Sequence, residues 1–127
     1  MNLRKLENGL NQIGSHELEY VSYDLHELRV SVRLKDDRLA YVIFKDSLGH
    51  RLLDEGDFLD LLPLPDQTAW LCEVSEGGWM DECKNLNRLV SHLSDVREFF
   101  VAGANECINV FSYSEPTVYA TTENDGS

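Results

Sequence analysis

The chain has 127 residues, of which 43% are hydrophobic, and it carries 11 basic against 23 acidic side chains, a formal net charge of −12. That length and composition predict one domain with a core of its own and exclude a disordered chain. The negative charge argues against nucleic acid or an anionic membrane as the partner. No apolar stretch approaches the ~20 residues that span a bilayer.

The first predicted element is a short amphipathic helix over residues 3–13. Its apolar residues recur at intervals of three, four and three, namely Leu3, Leu6, Leu10 and Ile13. Asn2 suits its N-cap and Gly14 its C-terminal end. We expect this helix to pack on the domain's own sheet, because its polar face carries too few positive charges for a membrane surface.

The clearest pattern predicts a β-hairpin from residues 26–34 and 38–44. The first segment, HELRVSVRL, alternates apolar and polar residues like a half-exposed strand, and the second contains RLAYVIF, which is apolar on both faces. A two-residue loop at Asp36 and Asp37 would set the register. It pairs three sets of apolar residues on one buried face: Leu34 with Leu39, Val32 with Tyr41, and Val30 with Ile43.

Further strands are predicted by apolar, β-branched and aromatic runs at residues 18–23, 69–74, 97–102 and 106–112. Helical spacing predicts a helix over residues 79–93, broken near residues 85–87, from Trp79, Cys83, Leu86, Val90 and Leu93. The sum is an α+β domain: a mainly antiparallel twisted sheet with a short N-terminal helix and one or two helices between strands. We expect it to fill residues 1–120 as a single domain, with residues 121–127 as a disordered polar tail.

Cysteine usage and the N-terminus favour a cytoplasmic protein. The three cysteines form no CxxC pair, and MNLRKLENGLNQIG lacks the apolar run of a secretory signal. We therefore expect reduced, partly buried thiols. Two of them, Cys72 and Cys107, fall in predicted strands, where a buried thiol is commoner than a nucleophile.

Residue patterns typical of catalysis or metal binding are absent from the sequence. The four histidines stand singly, outside any HExxH frame: His16, His26, His50 and His92. EGGWM, at residues 76–80, lacks the lysine that a phosphate-binding loop needs. Convergence of a cysteine with a histidine and an orienting Asn or Asp stays open. We expect a protein that is not an enzyme, with no catalytic residues, no cofactor and no metal.

The stretch RLLDEGDFLDLLP, residues 51–63, carries four carboxylates: Asp54, Glu55, Asp57 and Asp60. They repel one another unless water solvates them or a positively charged partner neutralises them. A calcium loop needs a glutamate at its twelfth position, which counted from Asp54 is Pro65. A catalytic pair of Asp57 and Asp60 on one helix face stays open. The intervening leucines favour an amphipathic turn or short helix with its acids in solvent.

A second acidic group surrounds Trp79 and contains Glu73, Glu76, Asp81 and Glu82. An aromatic side chain among carboxylates is typical of an interface centre, where Trp is over-represented among energetic hot spots. The alternative has equal weight: Trp79 packs inward from the start of a helix.

Most of the chain, residues 20–118, resembles the small acidic immunity proteins of contact-dependent growth inhibition and related bacterial polymorphic-toxin systems in size, charge and strand–turn pattern. The resemblance rests on YDLHELRVSVRLKDDRLAYVIFKDSLGHRLLDEGDFLDLLP, EGGWMDE and FFVAGANECINVFSYSEPTV. It implies a cytoplasmic protein that binds one toxin domain, often a basic nuclease, and blocks its active site. No catalytic residue is carried over.

The predicted partner-binding surface consists of Asp54, Glu55, Asp57, Asp60, Glu76, Trp79, Asp81 and Glu82. Negative charge would speed encounter with a basic toxin, and close charge complementarity would slow dissociation. Two alternatives stay open: an acidic secretion chaperone acting as a homodimer, and a nucleic-acid mimic that occupies the groove of a DNA-binding enzyme. A monomer is favoured for the immunity role.

Overall fold

The computed structural model describes residues 2–54, 68–104 and 106–121. Nine strands lie in these ranges: β1 (Asn2–Lys5), β2 (Ser15–Tyr23), β3 (Leu28–Leu34), β4 (Leu39–Phe44), β5 (Ser47–Asp54), β6 (Leu71–Glu76), β7 (Arg97–Ala102), β8 (Glu106–Ser112) and β9 (Thr117–Thr121). Between β6 and β7 lie the α-helix α1 (Trp79–Asn85) and a 3₁₀ helix (Leu89–His92). The described protein is thus mostly antiparallel sheet with one α-helix.

The strands form two sheets that pack face to face. A five-stranded sheet has the order β1-β6-β7-β8-β5, a four-stranded sheet has the order β2-β3-β4-β9, and neighbours pair antiparallel. Phe44 of β4 meets Phe99 of β7 between them, with ring centroids 5.6 Å apart. Helix α1 covers the opposite face of the five-stranded sheet, where Trp79 stacks on Phe111 of β8.

The central core is supplied by both sheets, because alternate residues of each strand point to the same side. Its buried members from the strands are Leu28, Val30, Val32, Leu34, Ala40, Val42, Phe44, Leu71, Phe99, Val101, Ile108 and Val110. Burial of this apolar surface is the main favourable contribution to folding. The predicted strands at residues 97–102 and 106–112 are confirmed with those bounds.

The predicted N-terminal helix is wrong, because residues 2–5 form a strand that pairs with β6. The four apolar residues that suggested a helix are divided between two clusters: Leu3 packs on the outer face of the five-stranded sheet, and the other three pack against the central core. Asn8 and Asn11 bond to nearby backbone, with Leu10 N–H donating to Asn8 Oδ1 at 2.9 Å. Such bonds compete with helical ones and favour turns.

The β3–β4 hairpin forms, but its predicted register is wrong by one residue. The loop has three residues, 35–37, closed by hydrogen bonds from Leu34 N–H to Arg38 O (2.8 Å) and from Asp37 N–H to Leu34 O (2.9 Å). Asp37 has a φ of 69°, as expected where a type I turn is followed by a left-handed bulge residue. A slip of one residue turns a strand over.

The register therefore places different β4 residues in the central core. The burial of Val30, Val32 and Leu34 is confirmed. Their β4 neighbours on the core side are Ala40, Val42 and Phe44, in place of the predicted Leu39, Tyr41 and Ile43. Ile43 is still buried, but on the other face of the sheet, and Tyr41 lies half-buried beside Tyr119.

The loop predicts opposite responses of two adjacent aspartates to replacement by glycine. Asp37→Gly should be neutral or raise the free energy of unfolding by up to about 1 kcal/mol, because glycine adopts a positive φ without strain. Asp36→Gly should lower it, because Asp36 Oδ1 accepts from Arg38 N–H at 3.1 Å. Urea unfolding of both variants measures this. A marked loss for Asp37→Gly alone would contradict the three-residue loop.

The predicted helix over residues 79–93 is shorter than expected, and its predicted break is confirmed. Helix α1 ends at Asn85, Asn87 has a left-handed φ of 54°, and the 3₁₀ helix follows. Strands β5 and β9 were not predicted. The first part of the acidic stretch, residues 51–54, belongs to β5, so these residues are extended rather than helical. The remainder, residues 55–63, and residues 122–127 of the predicted tail lie outside the described residues.

Candidate functional site

The first acid of the acidic stretch, Asp54, is paired along the sheet with Glu106, which was not part of the predicted partner-binding surface. The last residue of β5, Asp54, is the cross-strand partner of Glu106, the first residue of β8. Like charges directly opposite one another destabilise an antiparallel pair unless water or a cation lies between them. We call this part of the molecule, Asp54 and Glu106, the acidic end. Glu55, Asp57 and Asp60 follow it in the chain and lie outside the described residues.

The strand order separates Glu76 from the acidic end. Two strands, β7 and β8, lie between β6 and β5. Glu76 ends β6 close to the start of β7, where Val74 pairs with Glu98, whereas Asp54 and Glu106 lie near the end of β7. Asp54 therefore does not lie beside Glu76, which accepts a hydrogen bond from Asn2.

The two acids of α1 are held by the protein's own groups. Asp81 Oδ2 accepts the N–H of Gly77 at 2.6 Å, which supports the turn before the helix. Glu82 Oε2 lies 2.7 Å from Arg51 Nη1 of β5. Arg51 partly neutralises the charge of Glu82, and the backbone N–H of Gly77 occupies one oxygen of Asp81, so these two acids are less available to a partner than the sequence indicates.

Trp79 lies half-buried at the start of α1 rather than projecting from the surface. Its ring stacks on Phe111 with centroids 4.1 Å apart and planes inclined by 14°. The guanidinium of Arg51 lies 5.1 Å from the Trp79 ring centroid, within the range of a cation–π contact. This placement corresponds to the alternative in which Trp79 packs inward.

A buried carboxylate, Glu98 of β7, holds the start of α1 in place. Only 4% of Glu98 is exposed, and its two oxygens accept the N–H groups of Trp79 and Met80, each at 2.8 Å. Asn109 Nδ2 donates to Glu98 Oε2 at 2.8 Å. Burial raises the pKa of Glu98, and these hydrogen bonds oppose the rise. From the sequence, Glu98 was predicted only as part of a strand. An acidic residue directly before the apolar run FFVA could have indicated a buried carboxylate with a structural role.

Gly78 is required by the same arrangement. A Cβ at this position would lie 2.5 Å from Glu98 Oε2 and 2.7 Å from Val74 Cγ1, so any side chain would displace the carboxylate or the valine. The glycine pair of EGGWM therefore has a structural explanation: Gly77 adopts a φ of 78° and Gly78 allows Glu98 to approach.

A solvent-open groove of about 650 Å³ lies between β5, α1 and the 3₁₀ helix. Its apolar lining comes from Leu48, Trp79, Cys83, Leu86, Val90 and Phe111, and its charged lining comes from Arg51, Glu82 and Arg88. Burial raises the pKa of the Cys83 thiol, which disfavours the nucleophilic thiolate. The groove therefore has the composition of a binding site.

Metal ligands do not converge in the ranges 2–54, 68–104 and 106–121: no group of three or more His, Cys, Asp or Glu side chains there could hold an ion. In the same ranges no helix has the length and apolar character needed to cross a bilayer.

Comparison with protein-family models, curated proteins and solved structures finds no match to this chain.

Proposed function

We propose that this protein is a cytoplasmic immunity protein that binds a cognate toxin, a basic nuclease domain, and blocks its active site through the acidic end. In this role it is not an enzyme and uses no cofactor. The proposal is supported by the net charge of −12, which attracts a basic protein over long range. A binding protein of this kind needs shape and charge at its surface rather than a reacting group.

The observation that carries the proposal is the pairing of Asp54 with Glu106. The register sets these two acidic positions opposite each other on an edge strand and its neighbour, and like charges at such cross-strand positions are in general destabilising. Lys or Arg side chains of a partner would relieve that repulsion and gain charge-assisted hydrogen bonds. Three more acids follow within six residues of Asp54, so the sequence continues the negative charge from this point.

An N-terminal helix would have suited the secretion-chaperone alternative, but the segment predicted to be that helix begins with strand β1. The nucleic-acid mimic needs regularly spaced free carboxylates, and several described acids are instead paired within the chain, including Glu73 with Arg97 and Glu82 with Arg51. The immunity role requires neither feature.

Co-expression tests the function directly. The C-terminal domain of the toxin encoded immediately upstream would be induced in a bacterial host with and without this chain. We expect growth to be rescued only when both are present, and the two purified proteins to form a complex. The absence of any toxin gene in that position, or failure to rescue growth while the protein is folded and abundant, would contradict the proposal.

A matched pair of double variants locates the binding surface. Asp54→Asn with Glu106→Gln should weaken toxin binding by roughly tenfold or more at low salt. The control, Asp46→Asn with Asp95→Asn, also removes two negative charges but at other positions, and it should weaken toxin binding by less than about threefold. β5 separates Asp46 from Asp54 by roughly 25 Å of extended chain, and Asn tolerates the positive φ of Asp95.

Titration calorimetry and surface-binding kinetics with the toxin domain, at low and high salt, measure both pairs. Equal losses in the two double variants would mean that only net charge matters, and would contradict the acidic end as the contact. Unchanged affinity in both would contradict electrostatic recognition itself.

A further inference from the structure

The described residues that line the groove between β5, α1 and the 3₁₀ helix carry a net charge opposite to that of the whole protein. Arg51 and Arg88 contribute two positive charges and Glu82 one negative charge to its lining. The Arg51–Glu82 pair at 2.7 Å is internally neutral. Arg88 is exposed, and within the described ranges its guanidinium has no ion pair. Among the described lining residues, the groove therefore has one positive charge in excess, on Arg88, in a chain of net charge −12.

The apolar part of the groove is partly uncovered. Leu86 is 65% exposed and Leu48 is 42% exposed, although both line a concave surface. Trp79 and Phe111 form a rigid aromatic stack at the same place. Exposed apolar side chains gathered in a cavity, with a few fixed polar groups, mark a ligand site more than a plain surface.

We propose that this groove binds a small amphipathic ligand with an unbranched apolar chain and one carboxylate. The volume of about 650 Å³ suits a small molecule. The apolar chain would cover Leu48, Leu86 and Val90, and the carboxylate would pair with the planar donor fork of Arg88. A flat aromatic ligand fits less well, because Phe111 and Arg51 already contact the Trp79 ring. The features that indicate this site do not rest on the proposed toxin binding.

Decanoate is the probe, with 1-decanol as its uncharged counterpart and decylammonium as its cationic counterpart. The protein's net charge repels anions and attracts cations, so non-specific association would favour decylammonium. We expect titration calorimetry to show one saturable decanoate site and at least roughly tenfold weaker binding of the other two probes.

Two variants that each remove one positive charge, at positions four residues apart, locate the site. Arg88→Gln should weaken decanoate binding by roughly tenfold, because the pairing guanidinium is lost. Lys84→Gln is the matched control: Lys84 lies in α1, four residues before Arg88, its Nζ is 4.0 Å from Asp81 Oδ1, and it is not among the residues that line the groove, so its replacement should change binding by less than about threefold. Leu86→Gln, at a position that is 65% exposed, should also weaken binding.

The result that supports the proposal is selective loss in Arg88→Gln and Leu86→Gln with unfolding midpoints unchanged. Absence of saturable decanoate binding, equal binding of decylammonium, or an equal loss in Lys84→Gln would overturn it. Because the toxin is not present in these titrations, their outcome does not depend on the immunity role.

Discussion

Phe99→Ala is expected to lower the free energy of unfolding by about 3–5 kcal/mol, the range for removing a large buried aromatic side chain. Phe99 is fully buried, and its ring lies 5.6 Å from that of Phe44 in the opposite sheet. The truncation would leave a cavity where the two sheets meet. Because small domains are stable by only about 5–15 kcal/mol, the variant should unfold at much lower urea concentrations.

Tyr119→Ala is the control for this change, because it removes an aromatic side chain of similar size that is 42% exposed on the outer face of the four-stranded sheet. The loss of stability in Tyr119→Ala should be clearly smaller than that in Phe99→Ala, because the Tyr119 ring is already partly exposed and its removal leaves no enclosed cavity. Equal losses at the two positions in urea unfolding would contradict the face-to-face packing of the sheets.

Glu98→Ala is expected to lower the free energy of unfolding by about 3 kcal/mol or more, since three donors lose their acceptor and each buried donor left without one costs about 1–3 kcal/mol. The N–H groups of Trp79 and Met80 and the amide of Asn109 would all lose their acceptor. Glu7→Ala, at an acid whose side chain is 79% exposed, should change stability by no more than about 0.5 kcal/mol. Equal stability of the two variants would show that Glu98 does not hold α1.

The ionisation of Glu98 adds a pH dependence of defined sign. Burial raises the pKa of Glu98 above its ordinary value of 4.5, so the folded state binds the proton more tightly than the unfolded state. The resulting stabilisation is fully present at pH values below the pKa of Glu98 in the unfolded chain. It is lost as pH rises through the pKa of Glu98 in the folded protein.

Glu98→Gln isolates this effect, because glutamine keeps the shape and does not titrate. The free energy of unfolding of the natural protein, minus that of Glu98→Gln, should fall as pH rises from ~4 to ~7. Other carboxylates titrate in both proteins and cancel in the difference. A difference that is constant, or that rises with pH, in urea unfolding across this range would contradict the raised pKa.

The strands with the strongest local patterns were predictable from sequence. The alternation in LRVSVRL reports which β3 side chains face the core, and β7 and β8 match their predicted bounds. Such patterns are local, because successive side chains of a strand point to opposite faces wherever that strand lies. The break in the helix after Asn85 was also predictable, since Asn accepts a left-handed φ more readily than most residues.

The N-terminal segment and the β4 register were not predictable from the same kind of pattern. Leu3 and Leu6 share a helical spacing but pack into different clusters, which only the pairing of β1 with β6 brings about. The positive φ of Asp37 makes the loop one residue longer and turns β4 over. In both cases a long-range contact or a single dihedral angle outweighed the local periodicity.

The sequence by itself determined the acidic charge, the two-sided apolar strands and the carboxylate run that begins at Asp54. Only the tertiary structure decided which acidic positions lie next to one another in the sheet. It places Glu106 opposite Asp54, moves Glu76 to the other end of the sheet, and brings Glu98 under the start of a helix 19 residues away in sequence. Net charge and periodicity are sums over neighbouring residues, whereas a site depends on strand order and register, which are set by contacts between residues far apart in the chain.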